Sequence, residues 1–411
     1  MDEIDVPPFF ICPISLEFMK DPVTVSTGIT YDRESIEKWL FSGKNTTCPV
    51  TKQVIADSEL TPNHTLRRLI QSWCLLNASH GIERIPTPKP PISKPQIIKL
   101  LHDANSPRQQ IKCLKRLQSI ASQNVTNKRC MESSGVVEFL ASIVSNNDSA
   151  AAEESLSNEF GSIRPVDEAL SILYSLQLSE AGLKNLMSKN ADFVVSLTRV
   201  MHVGSYESRV FALLLLKSML EIADPVQLVS LRPELFVELV RVLRDQISQQ
   251  ASKATLQLLA HICPRGRNKI KAAEAGVVPI LIDLLLDSSN KRACEMILTV
   301  LDAVCGCAEG RSELLRHGAG LAIVSKKILR VSLVASERAV RILLSISKFC
   351  ATNNVLQEML QLGVVAKLCL VLQLDCGYKT KERARELLKL HARVWKNSPC
   401  IPTYVSSSYP A

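Results

Sequence analysis

The sequence predicts a mainly α-helical protein of two unlike parts, a small mixed α+β module followed by a long helical array. Three observations predict it. Of 411 residues, 46% are apolar but only 5% aromatic, and 15 are glycine. That is poor material for the aromatic strands and Gly-rich turns of sandwiches and barrels. A proline-rich stretch, Ile85-Pro-Thr-Pro-Lys-Pro-Pro-Ile-Ser-Lys-Pro95, removes backbone donors and stiffens the chain, marking a linker over 80–94. Beyond that linker one apolar pattern recurs at nearly constant spacing.

The module occupies 5–79. Val23-Thr-Val25 reads as a short strand and Ser26-Thr-Gly28 as a turn. Tyr31-Asp32 leads into a helix over 33–40, where Asp32 can cap the free N–H groups. Thr47-Cys-Pro-Val-Thr51 is a turn-containing loop. Pro62-Asn63 opens a second helix with Leu66, Leu69, Ile70 and Trp73 as its apolar face.

The recurring blocks are 136–144, 193–201, 235–243 and 277–285, with weaker copies at 321–329 and 364–372 and a partial one ending at Leu100-Leu101. The residues preceding them are 92, 135, 192, 234, 276, 320 and 363, giving steps of 43, 57, 42, 42, 44 and 43. A longer amphipathic segment follows each block, and several are preceded by a short one ending near Gly. Three helices in about 42 residues is the period of armadillo or HEAT units. One unit cannot bury its own apolar face, whereas stacked units share a core and present an extended surface. About seven units span 95–396. The long step implies an acidic, Ser-rich insertion near 145–162, and 130–163 contains no Lys or Arg. Residues 397–411, with three prolines and a Ser triplet, read as a flexible tail.

Charge is uneven. Residues 1–79 carry 7 basic and 10 acidic side chains, and 80–411 carry 42 and 30. The densest basic run, 379–396, reads as a solvated helix face, while Leu387, Leu388, His391, Val394 and Trp395 recur at helical spacing and suit a helix closing the end of a core. A nucleic-acid surface would interleave aromatics with the basic residues, and the repeats have few, so no nucleic-acid partner is expected. No apolar run approaches the roughly 18 residues of a membrane span, so integral membrane association is not expected either. Thirteen scattered cysteines form no disulfide framework, and the acidic start, Met1-Asp-Glu-Ile-Asp5, lacks a secretory signal. The expected location is the cytoplasm, with the nucleus and membrane surfaces as further sites.

A zinc site on Cys12 and Cys48 fails by counting. Residues 1–79 hold only Cys12, Cys48, His64 and Cys74, with no Cys-x-x-Cys pair, where one structural zinc needs four ligands and a cross-braced pair needs eight. Buried small hydrophobes are the better account of these cysteines. No second partner for a Cys nucleophile is indicated, so no metal, cofactor or covalent catalytic residue is assigned.

Several segments in order carry a family resemblance: Phe10-Ile-Cys-Pro-Ile-Ser-Leu-Glu-Phe-Met-Lys-Asp-Pro-Val23, Gly28-Ile-Thr-Tyr-Asp-Arg33, Ile36-Glu-Lys-Trp-Leu40, Cys48-Pro-Val-Thr51 and Leu60-Thr-Pro-Asn-His-Thr-Leu66. Together they resemble a U-box, a domain of RING shape in which hydrogen bonds and salt bridges replace both metals. With the linker and repeats, the whole chain resembles the plant U-box ubiquitin ligases with armadillo repeats. The resemblance implies a ligase that holds a ubiquitin-charged conjugating enzyme beside a substrate lysine. Carried over position by position, it implies a docking groove of Ile14, Leu16, Trp39 and Pro49, and Lys52 as a contact to both conjugating enzyme and ubiquitin. Asp21, Asp32, Arg33 and Glu34 become the charges that help replace the metals. The repeats would select the protein substrate, and the U-box could carry homo-oligomerisation. The family association suggests plant stress or immune signalling. A non-catalytic adaptor would have been favoured by a charged or missing residue in the docking set, and there is none.

Overall fold

The computed structural model describes residues 6–42, 45–55, 60–85, 92–146, 164–189 and 192–395. The middle of the linker, most of the expected insertion and the carboxyl tail lie outside the described residues. The chain divides into two units, Met1–Val136 and Val137–Ala411.

In the first unit a three-stranded antiparallel sheet has β1 (Pro22–Thr24) at its centre, flanked by β2 (Thr30–Asp32) and β3 (Thr61–Pro62). Val23 sits opposite Tyr31, both fully buried, while the Thr24 and Thr30 hydroxyls bond at 2.9 Å on the other face. This two-sided pairing sets the register, since a one-residue slip would bury the threonines. Gly28, at φ 83°, supplies the left-handed turn between the strands. The sequence pattern shows only the first strand; the other two are too short to alternate legibly.

Helix α1 (Arg33–Glu37) follows directly and runs on into one π-helical turn, Lys38–Ser42. Asp32 is at its N-cap but does not cap it with its side chain. Its Oδ1 instead accepts the Lys20 and Asp21 amides at 2.8 and 3.0 Å, tying the preceding loop to the helix start. Helix α2 (His64–Leu76) is capped by Asn63, whose Oδ1 accepts the Leu66 amide at 3.0 Å. Its inward face is Leu66, Ile70, Trp73 and Cys74, at i, i+4, i+7 and i+8. Leu69, expected on that face, is 52% exposed because it falls outside the stripe.

The first unit continues through Lys94–Ala104, Pro107–Ala121 and Val125–Glu132. Asn127, buried, donates Nδ2 to Ile120 O, and its Oδ1 accepts the Ile92 amide at 3.0 Å. The Thr126 hydroxyl donates to Oε1 of Glu37, which is 2% exposed. Burial pushes the Glu37 carboxyl above its ordinary range, against the pull of Thr126, Arg33 and Arg129. So α1 is held from outside the module as well as from within.

The second unit repeats one arrangement. Block helices lie at Phe193–Val203, Pro233–Asp245, Val277–Asp287, Gly320–Lys327 and Val364–Gln373, at the places the period gives. The long helices Pro165–Leu176, Tyr206–Ile222, Gln249–Ile262, Lys291–Val304, Leu333–Phe349 and Tyr378–Leu390 pack each on the next. Gly276 and Gly363, at φ 82° and 69°, make the left-handed corner between short and block helices. Buried Asn268 reproduces the role of Asn127, donating Nδ2 to Leu228 O at 2.7 Å and to Ile262 O at 3.1 Å. A helix end whose carbonyls would face an apolar core is satisfied this way. At the far end Trp395 is fully buried, its indole donating to Leu356 O at 3.4 Å, with Leu387 and Leu388 also buried. Val394, expected among them, is 48% exposed. Among the described residues no single helix is long and apolar enough to cross a membrane.

Candidate functional site

Two loops of the module have the same construction. In the first, Ile11 pairs with Phe18; the Cys12 amide donates to Glu17 O at 2.8 Å and the Leu16 amide to Cys12 O at 2.9 Å. In the second, Thr47 pairs with Val54; the Cys48 amide donates to Gln53 O at 2.8 Å and the Lys52 amide to Cys48 O at 2.9 Å. Leu16 and Lys52 adopt left-handed φ values of 59° and 62°. That conformation is costly for residues with a Cβ, and the closed turn imposes it at both sites. Cys12-Pro-Ile-Ser-Leu16 and Cys48-Pro-Val-Thr-Lys52 are thus one turn used twice.

The cysteines anchor these turns. Both are fully buried. Cys12 Sγ accepts the Asp32 amide at 3.3 Å, and Cys48 Sγ accepts the Thr51 amide at 3.5 Å. Burial pushes the Cys48 thiol up, but hydrogen bonds from Thr27, Thr51 and Tyr31 outweigh it and bring it to about 6. A sulfur sealed in this way serves as an acceptor that fixes the loop and has no access to a substrate carbonyl. Cysteine packing as a small hydrophobe is therefore only half of its role here.

The side chains thrown outward are apolar. Leu16 is 76% exposed and Ile14 half-buried against the module core. Pro49 is half-buried. Val50, which occupies in the second loop the place of Ile14 in the first, is 52% exposed. Val50 was not singled out from the sequence; the repeated Cys-Pro-[Ile/Val]-[Ser/Thr] pattern is the signal that finds it. Trp39 is half-buried, and its indole N–H donates to Thr47 O at 2.8 Å. It therefore ties α1 to the second loop while packing on the core. Lys52 is exposed at the rim of that loop.

Charges hold the two sides together. Arg33 Nε donates to Asp21 Oδ2 at 2.6 Å, with Glu37 at 3.8 Å from its guanidinium and Arg67 at 3.8 Å from Asp21. Asp21, Asp32 and Arg33 thus occupy the structural positions expected of them. Glu34 does not. It pairs with Lys38 on the open face of α1, and Glu37, one turn further on, takes the inward place. Helix periodicity explains this, since Glu37 is at i+4 from Arg33 and Glu34 is adjacent. Among the described residues no group of three His, Cys, Asp or Glu side chains could hold a metal ion.

The family model for the U-box domain matches residues 6–79, and the model for the plant U-box protein ARM repeat region matches 96–411. The chain belongs to the plant U-box proteins with armadillo repeats. It is 62% identical to E3 ubiquitin-protein ligase PUB23 of Arabidopsis thaliana, over 100% of this chain and 98% of that one. It is 59% identical to E3 ubiquitin-protein ligase PUB22 of the same plant, over 100% and 99%. Among solved structures, one from work on a phosphorylation switch in the interaction between cadherin and beta-catenin aligns with a TM-score of 0.58 at 14% identity, covering 82% of this chain and 58% of that one. That likeness shows the armadillo fold. The paired loops, the central helix α1 and the charge network are accordingly those of a U-box, and the helices behind them are armadillo repeats.

Proposed function

We propose that the U-box docks a ubiquitin-charged conjugating enzyme on Ile14, Leu16, Trp39 and Pro49, with Lys52 reaching both carrier and ubiquitin, and that the armadillo repeats select the protein substrate. The chain is a U-box E3 ubiquitin-protein ligase. Its chemistry is aminolysis: a substrate lysine amine attacks the thioester carbonyl and the carrier's thiolate leaves. The ligase forms no bond in this step. It contributes proximity and orientation, which make a bimolecular reaction effectively intramolecular.

The observation that carries the docking assignment is Leu16, held 76% exposed in a left-handed turn. A backbone that spends strain to keep a leucine in water is explained by a partner that covers it. Lys52 presents a point charge where an arginine would present a planar fork, so its grip on ubiquitin is weaker than an arginine's. The U-box also supports self-association, consistent with exposed Leu69 and Leu76 on α2, at 52% and 80%. A cytoplasmic location, with the nucleus and membrane surfaces as further sites, accords with the free thiols of the described cysteines. A role in stress or immune signalling follows from family association.

The test is single-turnover discharge of ubiquitin from a charged conjugating enzyme to free lysine. Wild-type protein accelerates discharge, and Leu16→Ala loses most of that acceleration. Unchanged discharge by Leu16→Ala and Ile14→Ala together would remove the docking assignment.

A further inference from the structure

The geometry points to an oxyanion-binding site for an acidic segment of the protein substrate, built on Arg338 and Arg341 and completed by Arg383. The site rests on the reading of the repeats as the substrate-selecting half, and gives that reading a chemistry.

Arg338 and Arg341 stand one turn apart on the long helix Leu333–Phe349. Both reach Asp302 on the preceding long helix, Arg338 at 3.0 Å and Arg341 Nε at 3.3 Å. Asp302 is 9% exposed, and burial pushes its carboxyl up while Arg341, Arg338 and Arg383 pull it back. From the following long helix, Arg383 donates to Glu337 at 2.7 Å. On the same face of Leu333–Phe349 come Ser345 and the 68% exposed Phe349. Arg311, 8% exposed, lies with its guanidinium 4.6 Å from the Phe349 ring centre. Arg311 and Ser345 both donate to Cys305 O, at 3.1 and 3.0 Å.

Three guanidiniums, Arg338, Arg341 and Arg383, therefore meet two carboxylates, Asp302 and Glu337. A pairing network built for stability alone would balance charge and satisfy its donors. Here the cations outnumber the carboxylates, and Nε of Arg338 is buried without a hydrogen-bond partner. Arg341 spends its Nε on Asp302 and keeps a side chain 40% exposed. A guanidinium has five donors in a fixed fork, which matches the two oxygens of a carboxylate or phosphate. Asp302 acts as the brace: it fixes both forks, and Arg341 is the one that remains open to solvent. The exposed Phe349 ring, about two turns further along the same helix face, would meet an apolar side chain that follows the anion in the bound segment.

Binding is measured with the full-length protein and three fluorescein-labelled nonapeptides identical except at the centre, which is phosphoserine, glutamate or serine, in a Gly/Phe context without other charged side chains. Fluorescence anisotropy should show salt-sensitive binding of the phosphoserine and glutamate peptides and little of the serine one. The ratio between the first two says whether phosphate or carboxylate is the better ligand. Arg341→Gln should weaken binding about tenfold, the loss of one charge-assisted fork. Arg341→Lys should recover only part of it, and Lys253→Gln, at an exposed lysine on the helix Gln249–Ile262, should leave binding unchanged. Absence of binding, equal binding by Arg341→Gln and wild type, or an Arg341-dependent attachment to phosphatidylserine vesicles in place of peptide would each overturn the site. Ubiquitin discharge to free lysine, measured on the same samples, tests the docking surface separately, so the two readings fail independently.

Discussion

The Tyr31 hydroxyl sits 2.9 Å from Cys48 Sγ and at the same time accepts the Val50 amide at 3.3 Å. With its acceptor side taken by the amide, its proton goes to sulfur. One buried phenol thus joins the central sheet to the second Cys-Pro loop. The Cys48 thiol is held at about 6 and the phenol is pushed above its ordinary value by burial and by that sulfur. A group whose folded pKa is depressed adds stability above its unfolded pKa and loses it as pH falls through the folded one. Stability of the U-box should therefore rise from about pH 6 to about pH 9 by an increment that Cys48→Ser abolishes. Urea unfolding at the two pH values, with thiolate absorbance as a direct readout, measures it. A pH-independent difference between wild type and Cys48→Ser would show that the sulfur stays protonated.

Leu16→Ala and Trp39→Ala should part company. Leu16 is mostly in solvent, so its truncation shifts stability by less than about 0.5 kcal/mol. It removes, however, up to about 2 kcal/mol of apolar burial in the complex, or roughly tenfold or more in carrier affinity. Trp39 also fills the core edge and bonds Thr47 O, so its truncation lowers the melting temperature as well as discharge. Differential scanning fluorimetry beside the discharge assay separates the two.

Lys52→Arg should preserve or raise the discharge rate, because the turn already holds position 52 at φ 62° and the longer fork adds a second donor. A large loss in single-turnover kinetics would take Lys52 out of the transfer step.

Asn268→Ala leaves Leu228 O and Ile262 O without their shared donor inside the repeat core. The expected cost is about 1–3 kcal/mol for carbonyls left unsatisfied in the core. Urea unfolding of the full chain checks this; discharge to free lysine should stay near wild type at low temperature.

Treatment with a chelator should change neither the melting temperature nor single-turnover discharge, since Asp21, Arg33 and Glu37 close the inner side of the docking loops with ion pairs. A drop in melting temperature reversed by zinc would contradict this arrangement.

Much of this architecture was legible in the residues. Repeat spacing located the block helices because each must bury an apolar face every 42 residues or so, and that requirement writes itself into sequence. The U-box was legible through an assembled family pattern. What escaped depended on tertiary partners. Asp32 looked like a helix cap because cap preference is local, yet two amides of a distant loop claimed its oxygen. Glu37, and not Glu34, takes the inward place through its i+4 spacing from Arg33, a signal the sequence carried, and Thr126, far along the chain, adds a donor the sequence did not show. Strand β3 is two residues long and exists only because β1 offers an edge. Val50 stands out only when the two Cys-Pro loops are set side by side, because its place is defined by its counterpart Ile14.

The bond from Thr126 to Glu37 has a practical corollary for anyone who excises the catalytic half. A fragment stopping at residue 79, where the domain match ends, would strip a sealed carboxylate of its outside donor and let water reach the base of α1. Rates collected on such a truncation would describe a loosened grip, and a faithful minimal fragment has to carry the chain through Glu132.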